Sequence, residues 1–256
     1  MAENAFKLFG FEITRAKDNK TLASPVPPRD DDGAGYVTAT SAGSHYGHYI
    51  NMDGDDSKDN AQLILKYRGS AMHPEADAAI EDIVNESITA NELKPSVSLN
   101  LDNVPVSNAI KKQMVEEFEK IFNMLNFKEL GHDIFRRWYV DGRLYHHLVV
   151  DENNLGAGIQ EIRYIDAAKM RKVKQVKSKK DALTGAKLVE KVNEFYIFQE
   201  KPGAQNAGVK MTLDSISYIT SGLLDEQRKK IVSYLHKALK PMTQLRMMED
   251  LSLIHI

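Results

Sequence analysis

The sequence contains no cysteine. That one absence removes disulfide frameworks, thiolate metal sites, cysteine nucleophiles and thiol redox switching together. Long apolar runs are also missing: the longest are a few residues, as at Leu148-Val149-Val150, far short of the ~20 that a membrane-spanning helix needs. The first ten residues, Met1-Ala-Glu-Asn-Ala-Phe-Lys-Leu-Phe-Gly10, have no basic stretch followed by an apolar one, so no secretory leader is read there. Neither sign of charge is in excess, with 34 basic and 36 acidic side chains. A dedicated duplex-DNA binder carries a far more basic balance. These absences predict an intracellular soluble protein, or part of one. What is present suits that reading: 256 residues, 42% of them hydrophobic, can bury a core without covalent staples.

The small net charge of −2 hides an asymmetry, since residues 1 to 60 carry −4 and the rest +2. Residues 21 to 60 hold Pro25-Val-Pro-Pro28, the acidic Asp30-Asp-Asp-Gly-Ala-Gly35 and a Ser/Gly/His/Tyr mixture ending in Asp53-Gly-Asp-Asp-Ser-Lys-Asp-Asn60. Such a stretch has too little periodic apolar content to offset its ordering entropy. Residues 1–58 are therefore expected to form a mostly disordered arm. Its apolar start, Ala5 to Ile13, is the exception and is suited to docking.

From residue 59 the pattern turns helical. Ala61, Leu63, Ile64 and Tyr67 suit a short helix; Ala79, Ile80, Ile83, Val84 and Ile88 mark a second from about Glu75. Ser96 to Leu101 alternates and predicts a strand. Ser107 stands where an N-cap belongs, ahead of the stripe Ile110, Met114, Phe118, Ile121, Phe122 and Leu125. Leu130, Ile134 and Trp138 place another helix over 129–140. A β-rich block follows over 144–221, with strands at 144–150, 159–165, 170–176, 188–199 and 209–218. A long helix is predicted over 225–250, its core face Ile231, Leu235, Leu239 and Leu245, kinked or restarted at Pro241. Helices, then strands, then a helix predict an α+β fold.

Chemistry is sparse. Asn51 to Asp56 begins like a calcium loop, but the sixth position is Asp56 rather than Gly and the twelfth is Gln62 rather than Glu. Gly156-Ala-Gly158 lacks the third glycine of a dinucleotide loop, where Glu161 stands, and Thr184-Gly-Ala-Lys187 lacks a P-loop's core. His146 and His147 are neighbours on a strand and point to opposite faces, so they cannot share an ion. His45 and His48 lie in the arm, and His236 beside Leu235 reads as structural or interfacial. No catalytic group, cofactor site or metal site is predicted. The sharpest electrostatic feature is the acid-free run Lys169, Arg171, Lys172, Lys174, Lys177, Lys179 and Lys180. It reads either as a solvated hairpin whose lysines guard an edge strand, or as a basic surface for nucleic acid or an acidic partner.

Two segments carry a resemblance. Asp133-Ile-Phe-Arg-Arg-Trp-Tyr-Val-Asp-Gly-Arg143, and Tyr234-Leu-His-Lys-Ala-Leu-Lys-Pro-Met-Thr-Gln-Leu-Arg-Met-Met-Glu-Asp250, resemble two blocks of the portal vertex proteins of T-even-type contractile-tailed phages, and the Lys7-Leu-Phe-Gly-Phe-Glu-Ile13 start and the insertions after Asn60 look most like cyanophage portals. Shorter matches lie at 82–84, 99–102, 114–127, 161–166, 194–197 and 220–223. The resemblance implies the N-terminal portion of a portal subunit, truncated: an arm at 1–58, wing region at 59–224, and at 225–250 a helix leading toward the stem. It implies a homododecameric ring at the capsid vertex that forms the DNA channel for packaging and ejection. The implied partners are the terminase large subunit, major capsid and scaffolding proteins, neck and head-completion proteins, and double-stranded DNA passing without sequence specificity. The implied location is the virion, with host cytoplasm during head assembly. A metal-dependent nuclease and a small nucleic-acid-binding module are the alternatives.

The resemblance also assigns structural or interface roles to Phe135, Arg136, Arg137, Trp138, Asp141, Arg143, Leu235, His236, Lys240, Pro241, Gln244, Glu249 and Asp250. Phe135 and a buried Trp138 are expected to anchor their helix. Arg136 and Arg137 cannot share a face, so at least one should pair across the domain or a subunit boundary. Glu249 and Asp250 are expected to pair with a neighbour's Lys or Arg. Leu251-Ser-Leu-Ile-His-Ile256 departs from the family pattern. One frame of a common library-preparation transposon end encodes it, so the six residues read as an adapter-derived tail.

Overall fold

The computed structural model describes residues 6–8, 11–13, 33–38, 55–89, 96–151, 153–180, 187–200, 208–226 and 230–254. Its elements run β1 (Phe6–Leu8), β2 (Phe11–Ile13), β3 (Gly35–Thr38), α1 (Asp55–Ala71), α2 (Pro74–Ser87), α3 (Asn108–Met124), α4 (Phe127–Asp141), β4 (Arg143–Val150), β5 (Ile159–Ile165), β6 (Met170–Lys180), β7 (Lys187–Phe198), β8 (Val209–Met211), β9 (Ile216–Thr220) and α5 (Leu239–Ile254). This is α+β, as the order of periodicities predicts.

α1 joins the two halves of the core. Ile64, Tyr67 and Ala71 recur at helical spacing on one face, and all three are buried. Ile64 enters a cluster with Tyr145, Met170, Tyr196 and Ile216 on the sheets. Tyr67 and Ala71 enter a second with Ile80 and Val84 of α2, Val140 of α4, and Leu235. α2 starts at Pro74, whose missing N–H is an orphan in a first turn anyway. Ser107 caps α3 as predicted, its hydroxyl accepting from the Ile110 N–H at 3.4 Å.

The sheets are small and separate. One is antiparallel in the order β5-β4-β9, with Tyr145 registered between Ile165 and Tyr218. A second runs β3-β6-β7-β8; β3 joins β6 in parallel, while its remaining pairs are antiparallel, and β1 with β2 makes a third, antiparallel pair.

Five expectations need correcting. Residues 33–38 and 55–58 do not belong to a disordered arm: Gly35 to Thr38 form a strand, Ala34 is buried and α1 begins at Asp55. His45, His48 and residues 51–54 of the calcium-like loop lie outside the described residues, while 55–62 of that loop are helix, the start of α1. β3 covers one side of β6 at Val173 to Val176, so that stretch is an inner rather than an edge strand, and of the basic run Lys174 lies on it. Residues 96–101 form no strand; an alternating pattern is only half of a ladder. Val97 and Leu99 stand exposed, and the chain turns where the Asp102 N–H meets Asn100 Oδ1 at 2.9 Å. The strand expected over 209–218 is two, split by a 3-10 turn at Leu213–Ser215 that sends β8 to one sheet and β9 to the other. The last helix begins at Leu239, not 225. Leu224 and Ile231 form a β-bridge, Ser233 caps a 3-10 turn at Tyr234–Ala238, and Pro241 sits in the first turn of α5, where it breaks no bond.

Trp138 is half-buried instead of buried. Its ring lies 5.5 Å from Phe135 and 5.4 Å from Tyr234, and its Nε1 donates to the Thr220 carbonyl at 3.2 Å. Trp138→Ala should therefore cost about 2 kcal/mol, below the 3–5 typical of a fully enclosed ring. Thermal unfolding of the variant checks this; an unchanged melting curve would remove Trp138 from the framework.

Candidate functional site

The two segments singled out in the sequence meet in space. α4 ends at Asp141 because Gly142 takes a left-handed conformation, φ 71°, while its N–H still bonds the Trp138 carbonyl at 2.9 Å. A Cβ on Gly142 would stand 2.8 Å from the Ser233 nitrogen and the Val232 oxygen, so the chain at 232–233 lies directly against this turn. Arg143, buried on the next residue, donates to the Ile231 carbonyl at 2.5 Å. Ser233 Oγ donates back to the Tyr139 carbonyl at 3.0 Å. Tyr234 stacks flat on Tyr139, centroids 5.0 Å apart. Leu235 packs with Val140, and Tyr67 Oη lies 2.8 Å from His236 Nδ1. The end of β9 closes the junction: the Ser221 N–H reaches the Gly142 carbonyl at 2.8 Å, and Ser221 Oγ the Val232 carbonyl at 2.6 Å.

Under this junction lies an ion network of which the sequence reading named one member. Asp141 is 2% exposed, and the Arg68 guanidinium of α1 grips both its oxygens, Nε at 2.9 Å and Nη2 at 2.7 Å. The same guanidinium reaches Asp166, just after β5, at 2.6 Å. The Asp141 bonds raise the Arg68 pKa, burial works against them, and the Asp166 bonds raise it further. Burial pushes the Asp166 carboxyl up, but Arg68, the Ala168 N–H and Lys169 together hold it below the usual carboxylate range. One cation thus ties α1, α4 and β5. Arg68 escaped notice because its partners lie 73 and 98 residues away, and no local pattern marks such a pair.

The other expected positions divide. Phe135 lines the helix cluster. Arg136 pairs across the domain with Asp77 of α2. Arg137 pairs with Asp133 at 2.6 Å and lies over the Tyr164 ring at 4.4 Å. Lys240, Pro241, Gln244 and Asp250 are exposed on α5, away from the junction. Glu249 reaches His73 within the same chain, 3.5 Å away. Of the basic run, Lys169 and Arg171 are half-buried. Lys172 and Lys174 flank Glu194 at 2.9 and 3.8 Å, and Lys174 is buried. The lysines at 172 and 174 share the one Glu194 carboxylate and are largely covered, so they do not form an open basic surface. The side chains of Lys177, Lys179 and Lys180 lie outside the described residues.

What the arrangement can do is hold shape. His146 is buried between strands, and burial, then the nearby Arg137 charge, lowers its pKa, so it stays neutral near pH 7. Tyr145 is enclosed by Tyr196 and Tyr218, and burial raises its pKa well above the ordinary phenol value. Among the described residues no three His, Asp or Glu side chains gather as a metal ion requires. No helix there is long and apolar enough to cross a membrane.

The family described as Bacteriophage T4-like portal protein (Gp20) matches over residues 60–255. Vibrio phage KVP40 has a protein named portal protein that is 32% identical over 243 residues, covering 89% of this chain and 47% of that protein. Salmonella phage ViI has another of that name, 24% identical over 260 residues, covering 95% of this chain and 46% of the relative. The chain spans about half the length of these curated relatives. The family match takes in α5 and five of the six residues set apart above as a tail.

Proposed function

Since this chain belongs to the T4-like portal protein family, whose members are structural components of the phage head rather than enzymes, we propose that it is part of a ring subunit at the capsid vertex. The ring is a homododecamer whose channel passes double-stranded DNA during packaging and ejection. Its outer parts meet capsid and scaffolding proteins during assembly in the host cytoplasm, and a terminase large subunit and neck proteins dock on it. The described body supplies the wing, and α5 leads toward the stem.

The observation that carries this reading is the junction at Gly142. Residues 139–143 of the first portal-like block are hydrogen-bonded to Ser221 after β9 and to Ile231 and Ser233 just ahead of the second block, while Tyr234 and Leu235 of the second pack on Tyr139 and Val140. A ring subunit under packing load needs such a stiff joint between its body and the helix that leaves it. Charge supports the same reading. The ion pairs at Asp141, Asp77 and Glu194 are made within the chain, and 34 basic against 36 acidic side chains give no net positive charge to hold DNA, as suits a gate through which it must slide.

Native mass spectrometry of the full-length protein, with a plasmid-cleavage assay in magnesium alongside, tests the proposal. The expected result is a twelve-subunit mass and intact plasmid. A monomer that cleaves DNA when metal is added would replace the portal reading with the nuclease one.

A further inference from the structure

β3 covers β6 only from Val173 to Val176, and β8 covers β7 only from Tyr196 to Phe198. Beyond those contacts β6 and β7 run on together, Lys177 to Lys180 against Lys187 to Lys191, as a two-stranded ribbon with no further strand beside it among the described residues. Its composition is lopsided. Lys177, Lys179, Lys180, Lys187 and Lys191 lie on it, and Glu190 is its one acidic residue. The register makes the imbalance costly, since Lys177 stands opposite Lys191 and Lys180 opposite Lys187. Like charges directly opposite destabilise a ladder, so the strand pairing does not account for them. An anionic partner does.

We infer that this ribbon contacts the phosphate backbone of duplex DNA without reading its sequence. Its geometry and chemistry favour DNA over an acidic protein. By the two-residue period of a strand Lys177 and Lys179 share a face, and Lys191 joins them opposite Lys177, while the Lys180–Lys187 pair falls on the other face. A ribbon basic on both faces fits a major groove, which admits two strands between two phosphate backbones. The cations are all lysine, a hydrated point charge suited to phosphate. Arginine, asparagine and glutamine, the residues that read base edges, are missing from the ribbon. Protein interfaces are instead depleted in lysine and built on an apolar core, and here only Leu188 and Val189 are apolar. On a chain of net charge −2 these lysines give a local, salt-sensitive contact and not a firm grip, so DNA can still slide. The inference goes beyond the ring reading and stands without it, because a lone subunit would make the same contact.

Fluorescence anisotropy of a random-sequence DNA duplex, titrated with the full-length protein at rising salt, tests the contact, while native mass spectrometry of the same sample tests the ring separately. The logarithm of the binding constant should fall linearly with the logarithm of salt concentration. Lys177→Gln, Lys179→Gln, Lys180→Gln, Lys187→Gln and Lys191→Gln together should weaken binding and flatten that slope by about 4, each lysine on a phosphate supplying about 0.9. Lys177→Gln with Lys180→Gln should flatten it by about 2. As a control, glutamine at Lys66, Lys112, Lys120, Lys128 and Lys240, all exposed, removes the same charge and should leave most of the slope in place. Equal flattening by both sets would reduce the effect to net charge, and an unchanged slope in the ribbon variant would put the contact elsewhere. Absence of wild-type binding, or a preference for polyglutamate over the duplex, would give the ribbon to an acidic protein. Each of these results overturns the assignment. The ribbon variant should also melt no lower than wild type, since it removes two like-charge pairs. A lower melting temperature would mean that the lysines serve the fold, and overturns the assignment as well.

Discussion

Arg68→Ala is expected to destabilise the chain by about 3 kcal/mol, toward the low end of what removing one partner from a buried ion pair costs. Asp141 drives the effect. It is 2% exposed, and Arg68 is its ion partner. Without the guanidinium its charge remains in a poorly solvated place at the end of α4. The low end applies because the Arg68 side chain is itself a third exposed, so water can reach part of the vacancy. Urea denaturation of wild type and variant measures the difference, and Arg68→Lys should recover only part of it, since an ammonium cannot grip two carboxylates in a planar fork. The loss should also depend on acid. Asp166 has its folded pKa below the unfolded value, so its contribution is fully present above the unfolded carboxyl pKa and is lost as pH falls through the folded one. The gap between wild type and variant should narrow over that acid range. A gap independent of pH would mean that Asp166 is not part of the network.

Gly142→Ala is expected to cost about 3 kcal/mol, combining a left-handed residue, about 1–2, with overpacking against fixed backbone, about 1–3. The new methyl would meet the Ser233 nitrogen and the Val232 oxygen at 2.8 Å. Neither can swing away as a flexible side chain could. Gly158 supplies the control: its φ is 72°, matching 71° at Gly142, but a Cβ there meets nothing within 4 Å. Gly158→Ala should therefore cost only about 1 kcal/mol. Equal costs at the two glycines, by thermal or urea unfolding, would show that the close approach of 232–233 to the end of α4 contributes nothing.

Local signals were legible in the sequence. Ser107 announced α3, and β5 falls at the expected residues 159–165, because caps and local composition are properties of a few neighbouring residues. Where the sequence misled, a distant partner decided the outcome. Ile231, Leu235 and Leu239 have helical spacing, yet Ile231 bridges to Leu224 and the Val232 N–H bonds the Leu223 carbonyl at 3.0 Å, so helix waits until Leu239. Residues 96–101 alternate but have no ladder partner among the described residues. Gly35 to Thr38 follow an acidic, Gly-rich stretch that predicted disorder, and pair with β6 from some 140 residues away. At the junction, Phe135 to Arg143 and Leu235 to His236 were readable from the family resemblance. Arg68, Asp166 and Ser233 were not, since what makes them matter is which carboxylate, guanidinium or carbonyl the fold brings beside them.

The central claim is that this chain is part of a subunit whose joint at Gly142 serves a closed ring. Cryo-electron microscopy of the full-length assembly tests it most directly. The account predicts twelve-fold rings around an open central channel, with the described body fitting each subunit and α4, β9 and the start of α5 meeting at Gly142. Monomers, open filaments, or rings in which α5 departs from the body without that joint would contradict it.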